Sequence, residues 1–210
     1  MKDLWILGCG GHALSLTNLV EESGEWKLLG YIDNKEAEGN VIGGYPVVGN
    51  DDGLLKLKNR CNNILIGLGM TKSNIFREKI YNKLKNLGFN FPIIISPKAS
   101  VSRSANIGTG TVVLPFAVVG AGVIIGINSI INTGAIVEHS SQIGNHVHLS
   151  TGSIVNGDCQ IEDRVMFGSG AILIQGRIIS EDITIGAGAV VTKNLKEVGV
   201  YVGTPAEKRN

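Results

Sequence analysis

Residues 130–149 read IINTGAIVEHSSQIGNHVHL, and an aliphatic residue recurs within them at every sixth position. A six-residue period is neither helical nor the two-residue alternation of an ordinary strand, and it is typical of a β-helix built from hexapeptide repeats. The period continues in both directions without a slip through most of the C-terminal half. The complete series, aliphatic except for one phenylalanine, is Val101, Ile107, Val113, Val119, Ile125, Ile131, Val137, Ile143, Leu149, Val155, Ile161, Phe167, Leu173, Ile179, Ile185 and Val191.

The residues around each aliphatic position predict the shape of one repeat. The residue two positions earlier is usually small, and alternate side chains of a strand share a face, so we expect both to point inward. The residue directly after is often glycine or asparagine, as at Gly108, Gly120 and Asn132. These residues tolerate a positive φ, so this position is predicted to form the corner. Three strands per coil then give a triangular prism of about five coils.

The first 96 residues show strands alternating with helices, which predicts a small parallel sheet, a Rossmann-like half. The chain therefore divides into a Rossmann-like α/β domain, residues 1–96, and an all-β domain with a short C-terminal tail, residues 97–210. The expected elements are a strand ending before Gly8, a helix from His12 to Glu22, strands over Lys27–Ile32 and Asn63–Leu68, a helix over Lys72–Leu87 and a short strand over Phe91–Ile95.

Ligands of parallel sheets bind at the carboxyl ends of the strands. A glycine loop that leads into a helix also presents free N–H groups to phosphate, although such a loop can equally be a tight turn without a ligand. We favour a nucleotide-diphosphate site over a dinucleotide site, because only half of a dinucleotide-binding sheet is present. The candidate substrate-binding residues are Gly8, Gly10, Gly11, His12, Asp33, Asn34 and Gly67.

Composition excludes several classes of partner. The formal net charge is +1 over 210 residues and no basic run is present, so we expect no polymeric nucleic acid and no membrane as partner. The N-terminus leads directly into a strand pattern rather than a signal peptide. The three cysteines are scattered along the chain, which favours reduced thiols and a cytoplasmic protein.

The histidines of the repeat region are candidates for chemistry. By their place in the repeat, His139, His146 and His148 are all predicted to point outward, so that a position in the prism core is excluded for them. For each of them the alternative is an ordinary solvated histidine. This alternative is strongest for His146, whose replacement is expected to be nearly silent.

Three segments together carry a family resemblance. The segments Gly8-Cys-Gly-Gly-His12-Ala, Gly30-Tyr-Ile-Asp33 and Gly43-Gly-Tyr-Pro-Val-Val-Gly49 stand ahead of an unbroken hexapeptide region. In this the chain resembles the bacterial sugar-nucleotide acetyltransferases, the PglD-like and NeuD-like proteins of surface-glycan synthesis. The resemblance implies a left-handed parallel β-helix, a homotrimer, acetyl-CoA as donor and an amino sugar on a nucleotide diphosphate as acceptor. It implies no metal.

The resemblance also implies roles for individual residues. The family run Asn-x6-His matches Asn132 to His139, which makes His139 the general base, with Asn132 and Glu138 beside it in the catalytic set. His148 is expected to hydrogen-bond the acetyl group or the acceptor, and His12 to lie near the sugar. The family usually places an acid directly after the base, and here that position is Ser140.

Outward apolar residues recur with a period of 18 and predict self-association. An apolar column of this length is unlike an ordinary water-facing surface. His139 lies on the corner that borders this face, so the active site is expected between subunits, with coenzyme A along the prism edge. The column consists of Val118, Ile136, Ile154, Ile172 and Val190; the expected cofactor contacts are His148, Gly157, Gly170, Gly188 and Gly203.

Three other functions stay open at this point. An O-acetyltransferase acting on a sialic-acid-like sugar is the nearest alternative. A γ-type carbonic anhydrase would bind zinc through three histidines across a trimer interface, but a nucleotide-binding half has no place in it. A non-catalytic sugar-nucleotide binding protein would lack coenzyme A binding.

Overall fold

The computed structural model describes residues 1–69 and 75–209. Its α/β part contains β1 (Lys2–Leu7), α1 (Gly11–Ser23), β2 (Trp26–Ile32), β3 (Val41–Ile42), β4 (Tyr45–Pro46), a 3₁₀ turn (Asp51–Gly53), α2 (Leu54–Arg60), β5 (Ile64–Ile66) and α3 (Ile75–Asn86). The hairpin β3–β4 and helix α2 occupy a stretch for which the sequence predicted only a loop. Residues 72–74 of the helix expected over Lys72–Leu87 lie outside the described residues. Among the described helices, none is long and apolar enough to cross a bilayer.

Strands β2, β1 and β5 form a parallel sheet in that order. Both of its faces are covered, which explains the nearly continuous hydrophobic run of β1. Leu4 and Ile6 pack on the side of α1, whereas Trp5 and Leu7 pack on the side of α2 and α3. The carboxyl ends of these strands therefore open between the two helical layers, where ligands of parallel sheets bind.

The β-helix is built from two-residue strands, and in β7 to β22 the second residue belongs to the six-residue series. The first sheet contains β7 (Ser100–Val101), β10 (Val118–Val119), β13 (Ile136–Val137), β16 (Ile154–Val155), β19 (Ile172–Leu173) and β22 (Val190–Val191). The second contains β8 (Asn106–Ile107), β11 (Ile124–Ile125), β14 (Gln142–Ile143), β17 (Gln160–Ile161) and β20 (Ile178–Ile179). The third contains β6 (Ile94–Ile95), β9 (Val112–Val113), β12 (Ile130–Ile131), β15 (His148–Leu149), β18 (Met166–Phe167), β21 (Thr184–Ile185), β23 (Val200–Val202) and β24 (Glu207–Lys208).

The strand expected at Phe91–Ile95 differs from the prediction in its partner. It is β6, and it pairs in parallel with β9 of the third sheet rather than with the small α/β sheet. At the other end β23 pairs with β21, so the third sheet extends beyond the hexapeptide series at both ends.

The corner position predicted from the glycines is wrong by two residues. Left-handed φ occurs three residues after the aliphatic position, at every sixth residue from Gly110 to Gly188, and includes Ser140 and His146. The glycines directly after the aliphatic residue are needed for close stacking instead. A Cβ on Gly126, for example, would lie 2.6 Å from the backbone carbon of Gly144 in the next coil.

The α/β domain covers the outer side of the third sheet. Ile94, Val112 and Ile130 point outward from the prism and pack in one core with Leu16 and Leu19 of α1. Helix α3 is tied to a corner of the prism by the ion pair of Arg164 with Glu78, and Arg164 is itself held by Asp182 of the next coil. Arg164 Nε lies 2.8 Å from Asp182 Oδ1, and Arg164 Nη1 lies 3.8 Å from Glu78 Oε2. Outward residues of the third sheet are therefore buried wherever this domain lies over them.

Candidate functional site

A cavity of about 730 Å³ lies where the α/β domain meets the β-helix. Gly10, Gly11 and His12 line it from the start of α1, and Gly67 lines it from the end of β5. The opposite wall belongs to the β-helix and contains the remaining predicted site residues of this region, Asn132 and His148, together with Thr133 and Thr151. The structure thus joins the predicted sugar-binding loop to one of the two predicted catalytic histidines.

A second cavity, of about 480 Å³, adjoins the first along Gly10, Leu68 and Phe76. It contains the other predicted substrate-binding residues, Gly8, Asp33 and Asn34. Phe76 borders both cavities with 63% of its surface exposed. Phe76 was not among the predicted site residues, because an apolar residue near the start of a helix is more often part of the core.

Asp33 organises the loop at the end of β2. Its Oδ2 accepts a hydrogen bond from the backbone N–H of Cys9 (3.1 Å), and its Oδ1 accepts from those of Lys35 (2.7 Å) and Glu36 (3.2 Å). Burial alone would raise the pKa of Asp33, but these hydrogen bonds stabilise the carboxylate and hold the pKa below its ordinary value. Asp33 therefore carries a negative charge at the edge of the second cavity.

His12 is held in the cavity wall as a neutral imidazole. Burial, and then the positive charge of Arg77, lower the pKa of His12 to about 3. Its Nε2 is buried and has no partner among the described residues. A Cβ on Gly69 would lie 3.2 Å from the Cβ of His12, so the loop after β5 packs closely against His12.

His148 points outward from the prism, as predicted, but is only 6% exposed because the α/β domain covers its sheet. Asn132 Oδ1 accepts from the backbone N–H of Thr133 (2.8 Å), so the Asn132 amide presents Nδ2 to His148 Nε2 (3.0 Å). Burial, and then the charge of Arg77, lower the pKa of His148 to about 4. Neutral His148 therefore carries its proton on Nδ1, a buried donor without a partner among the described residues.

The prediction that His146 is a solvated surface residue is wrong. It is 4% exposed, its ring packs edge-on against Tyr81 of α3 (5.4 Å between centroids), and its Nδ1 lies 2.8 Å from Asn128 Nδ2. Burial lowers the pKa of His146 to about 4. A side chain that points outward from the prism is still buried where the α/β domain lies over that corner.

His139 lies outside both cavities, on the exposed corner that follows β13. Its Nδ1 is 3.5 Å from the hydroxyl of Ser140, and the neighbouring Glu138 is also exposed. Asn132 precedes β13 and contacts His148, so within one chain it does not reach His139. The imidazole of His139 lies instead against Gly157 of the next coil, where an added Cβ would be 2.6 Å from Cε1 and Nε2.

Two of the glycines predicted to contact the cofactor, Gly170 and Gly188, lie on one open edge of the prism, whereas Gly157 lies at the corner with His139. Gly134, Gly152, Gly170 and Gly188 follow successive strands of the third sheet, all with left-handed φ and no atom within 4 Å of an added Cβ. Gly203 also has a positive φ, beyond β23. This edge borders the first cavity through Thr133 and Thr151. These two threonines are site residues that the sequence analysis missed, although each directly precedes a corner glycine.

Comparisons with known proteins agree with this architecture. The family model of the PglD N-terminal domain matches residues 3–84. PerB from Caulobacter crescentus, solved with CoA and GDP-perosamine, is 32% identical over 100% of this chain and 98% of its own, with a TM-score of 0.93. The acetyltransferase domain of PglB from Neisseria gonorrhoeae FA1090, solved with acetyl coenzyme A, is 31% identical over 99% of both chains, with a TM-score of 0.90. No curated protein sequence matches the chain.

The match to PerB covers the α/β domain, the β-helix and the C-terminal tail together. The fold class predicted from the sequence, a Rossmann-like half followed by a hexapeptide β-helix, is confirmed. The family predicted from the three glycine-containing segments is confirmed as well. The chain belongs to the PglD-like family of hexapeptide-repeat acetyltransferases.

Proposed function

We propose that this protein transfers the acetyl group of acetyl-CoA to the amino group of a sugar carried on a nucleoside diphosphate. The observation that carries the proposal is the cavity that joins His12 and the glycine loop to His148 and Asn132 of the β-helix. PerB, which this chain matches over its full length, was solved with CoA and GDP-perosamine. A cavity between the two domains is suited to such an acceptor, because the α/β domain can bind its nucleoside diphosphate while its sugar faces the β-helix.

The acceptor fits across the two adjoining cavities. Gly10 and Gly11 open α1, and an added Cβ on either would meet nothing within 4 Å, so a ligand can approach the backbone closely. The N-cap residue Gly10 has no capping side chain, and the free N–H groups of this 13-residue helix attract a diphosphate. The sugar then lies in the first cavity, near His12 and His148, and the nucleoside lies in the second cavity beside Asp33.

The transfer requires a base at the amine. The amine nitrogen attacks the thioester carbonyl carbon, the N–C bond forms, the C–S bond breaks and coenzyme A leaves as the thiol. We assign His139 as the base that removes the proton from the attacking nitrogen and passes it to the leaving sulfur. We expect His148 Nδ1–H, a buried donor without a partner among the described residues, to hold the acceptor or the acetyl oxygen. His148 is neutral in this role, because burial and the charge of Arg77 lower its pKa to about 4.

A homotrimer brings these groups together. The half-buried column Val118, Ile136, Ile154, Ile172 and Val190 lies on the outer side of the first sheet. The glycine edge with the cavity precedes this sheet along the chain, and the corner with His139 follows it. In a closed ring of three chains that packs these columns together, His139 of one protomer borders the cavity of its neighbour.

Complementation between inactive variants tests this arrangement. His139→Ala and His148→Ala are each expected to be inactive alone. If one site takes His139 from one chain and His148 from the next, co-assembly of the two variants in equal amounts restores about a quarter of wild-type activity, the fraction of sites with both residues intact. Absence of any recovery in verified mixed trimers would contradict the shared site.

A ligand panel tests the substrate class. Thermal unfolding is measured with UDP-, GDP-, CMP- and dTDP-linked amino sugars, each with and without coenzyme A. A ligand at 100 times its dissociation constant stabilises the folded protein by about 2.7 kcal/mol, which is readily seen. Stabilisation by coenzyme A without stabilisation by any sugar nucleotide would contradict the proposed acceptor.

A further inference from the structure

Arg77 of α3 is a buried cation at the junction of the two domains, with 2% of its surface exposed. Its Nη1 donates to the backbone oxygens of Ile66 (2.9 Å) and Leu68 (2.8 Å), and its Nε donates to that of Asn128 (3.3 Å). Burial lowers the pKa of Arg77 to about 9, so it is charged at neutral pH. One side chain thus holds the end of β5 and a corner of the β-helix at fixed positions relative to α3.

On the side of the α/β domain, these hydrogen bonds fix the loop that supports His12. Ile66 and Leu68 flank Gly67, where an added Cβ would lie 2.6 Å from Ile6 Cγ2 and 2.8 Å from Ala13 Cβ. The loop is therefore held between α1 on one side and Arg77 on the other. The next residue, Gly69, lies against the Cβ of His12. A shift of the Leu68 carbonyl would move the support of that histidine.

On the side of the β-helix, a series of contacts connects the guanidinium of Arg77 to the segment that carries His148. The backbone oxygen of Asn128 accepts from Arg77 while the Asn128 side chain contacts His146 Nδ1. His146 is further held by Tyr81, one turn along α3 from Arg77. Two residues after His146, His148 enters the cavity wall. Arg77 is thus connected to both cavity histidines through short chains of contacts.

We propose that Arg77 is a positioning residue for acetyl transfer, which sets the placement of His12 of one domain relative to His148 of the other. This inference rests on the proposed function, because the role of Arg77 would be to shape the first cavity, where the sugar is proposed to bind. Arginine suits the role since its planar fork of donors spans carbonyl groups of two domains, which a lysine ammonium cannot do. An apolar side chain would leave three carbonyl oxygens without the donors of Arg77, and two of these hydrogen bonds are buried.

The test compares Arg77→Lys and Arg77→Met with Lys79→Met, a control at an exposed position of the same helix. In Arg77→Lys, KM for the sugar nucleotide is expected to rise about tenfold or more while Kd for coenzyme A changes less than about twofold. The reason is that coenzyme A is expected on the glycine edge, across the third sheet from the Asn128 corner that Arg77 holds. Hydrogen exchange at Gly67–Gly69 should accelerate. In NMR titration, the pKa of His148 should rise in Arg77→Met, because a nearby positive charge has been removed.

The exchange rates and KM values together distinguish a positioning role of Arg77 from a purely structural one. Lower thermal stability with unchanged exchange at Gly67–Gly69 and unchanged KM in Arg77→Lys would overturn the proposal, since Arg77 would then serve the fold alone. If Arg77→Met does not fold, Arg77→Lys, which keeps the charge and most of the volume, still gives the exchange and KM readouts. If wild-type protein acetylates no sugar nucleotide, the proposed function fails, whereas exchange in the free protein still supports or overturns the role of Arg77.

Discussion

The imidazole of His139 lies against Gly157, so closely that a Cβ on Gly157 would be 2.6 Å from His139 Nε2. Gly157 is buried and has no left-handed φ, so an alanine there is opposed by this contact rather than by the backbone. We expect Gly157→Ala to displace the ring and lower kcat by about 10²-fold or more, because a base misplaced by 1 Å no longer reaches its proton. Steady-state kinetics with the acceptor identified by the ligand panel measures this.

The control for this substitution is Gly53→Ala, which adds the same methyl group at a glycine with no atom within 4 Å and an ordinary φ. Its kinetics should match the wild type. A Gly157→Ala enzyme with unchanged kcat would show that the ring of His139 moves away from Gly157 during the reaction.

Replacing His139 itself should separate chemistry from folding. His139 is exposed and fills no cavity, so His139→Ala should fold and assemble as the wild type does. Turnover should fall by about 10²–10⁴-fold, the usual contribution of a positioned base. Ser140→Asp places the acid that the family usually carries beside this ring, and it should leave activity equal or higher. Full turnover in His139→Ala would assign the base to another residue.

The regular part of this fold could be predicted almost residue by residue from the sequence. Val137 and Leu149 lie inside the prism as the six-residue period requires, because the period reports which side chains share a face. The period says nothing about how one coil stacks on the next. Gly126 therefore reads as a turn glycine in the sequence, whereas the structure shows that its missing Cβ makes room for Gly144.

The site was predicted less completely, because it forms between two domains. The roles of His12, His139 and His148 stay predictions, since geometry alone does not assign chemistry. The burial of His146 and the contacts of Arg77 depend on how α3 lies over the third sheet. That arrangement is set by long-range packing, for which no local pattern exists, so the sequence predicted a surface position for His146 and did not single out Arg77.

Stability should fall when the pH is lowered from 7 to 5. Burial lowers the pKa values of His12 to about 3 and of His146 and His148 to about 4, against about 6.5 in the unfolded chain. Between those values the unfolded chain binds more protons, so its free energy falls relative to the folded state. We expect a loss of about 1–2 kcal/mol per buried histidine at pH 5, measured by urea unfolding.

The matched variant for this titration is His146→Asn, since asparagine tolerates the left-handed φ of that position. The sequence predicts a silent substitution here, but the buried contacts with Tyr81 and Asn128 predict some destabilisation at pH 7. Its further loss between pH 7 and 5 should be smaller by the share of one histidine. Equal pH dependence in both proteins would mean that His146 titrates normally in the folded state.

The outer side of the first sheet should hold the proposed trimer together. Ile154 lies at the middle of the column that includes Ile136 and Ile172, and it pairs directly with both. A lysine in this place would put an unpaired charge into an apolar interface, so Ile154→Lys should be monomeric or unstable.

Gln160→Lys is the control, because Gln160 is an exposed outward residue of the second sheet. Light scattering should show a trimer for the wild type and for Gln160→Lys. A monomeric wild type, or an Ile154→Lys trimer of unchanged stability, would rule out this face as the interface and would separate His139 from the cavity of a neighbouring chain.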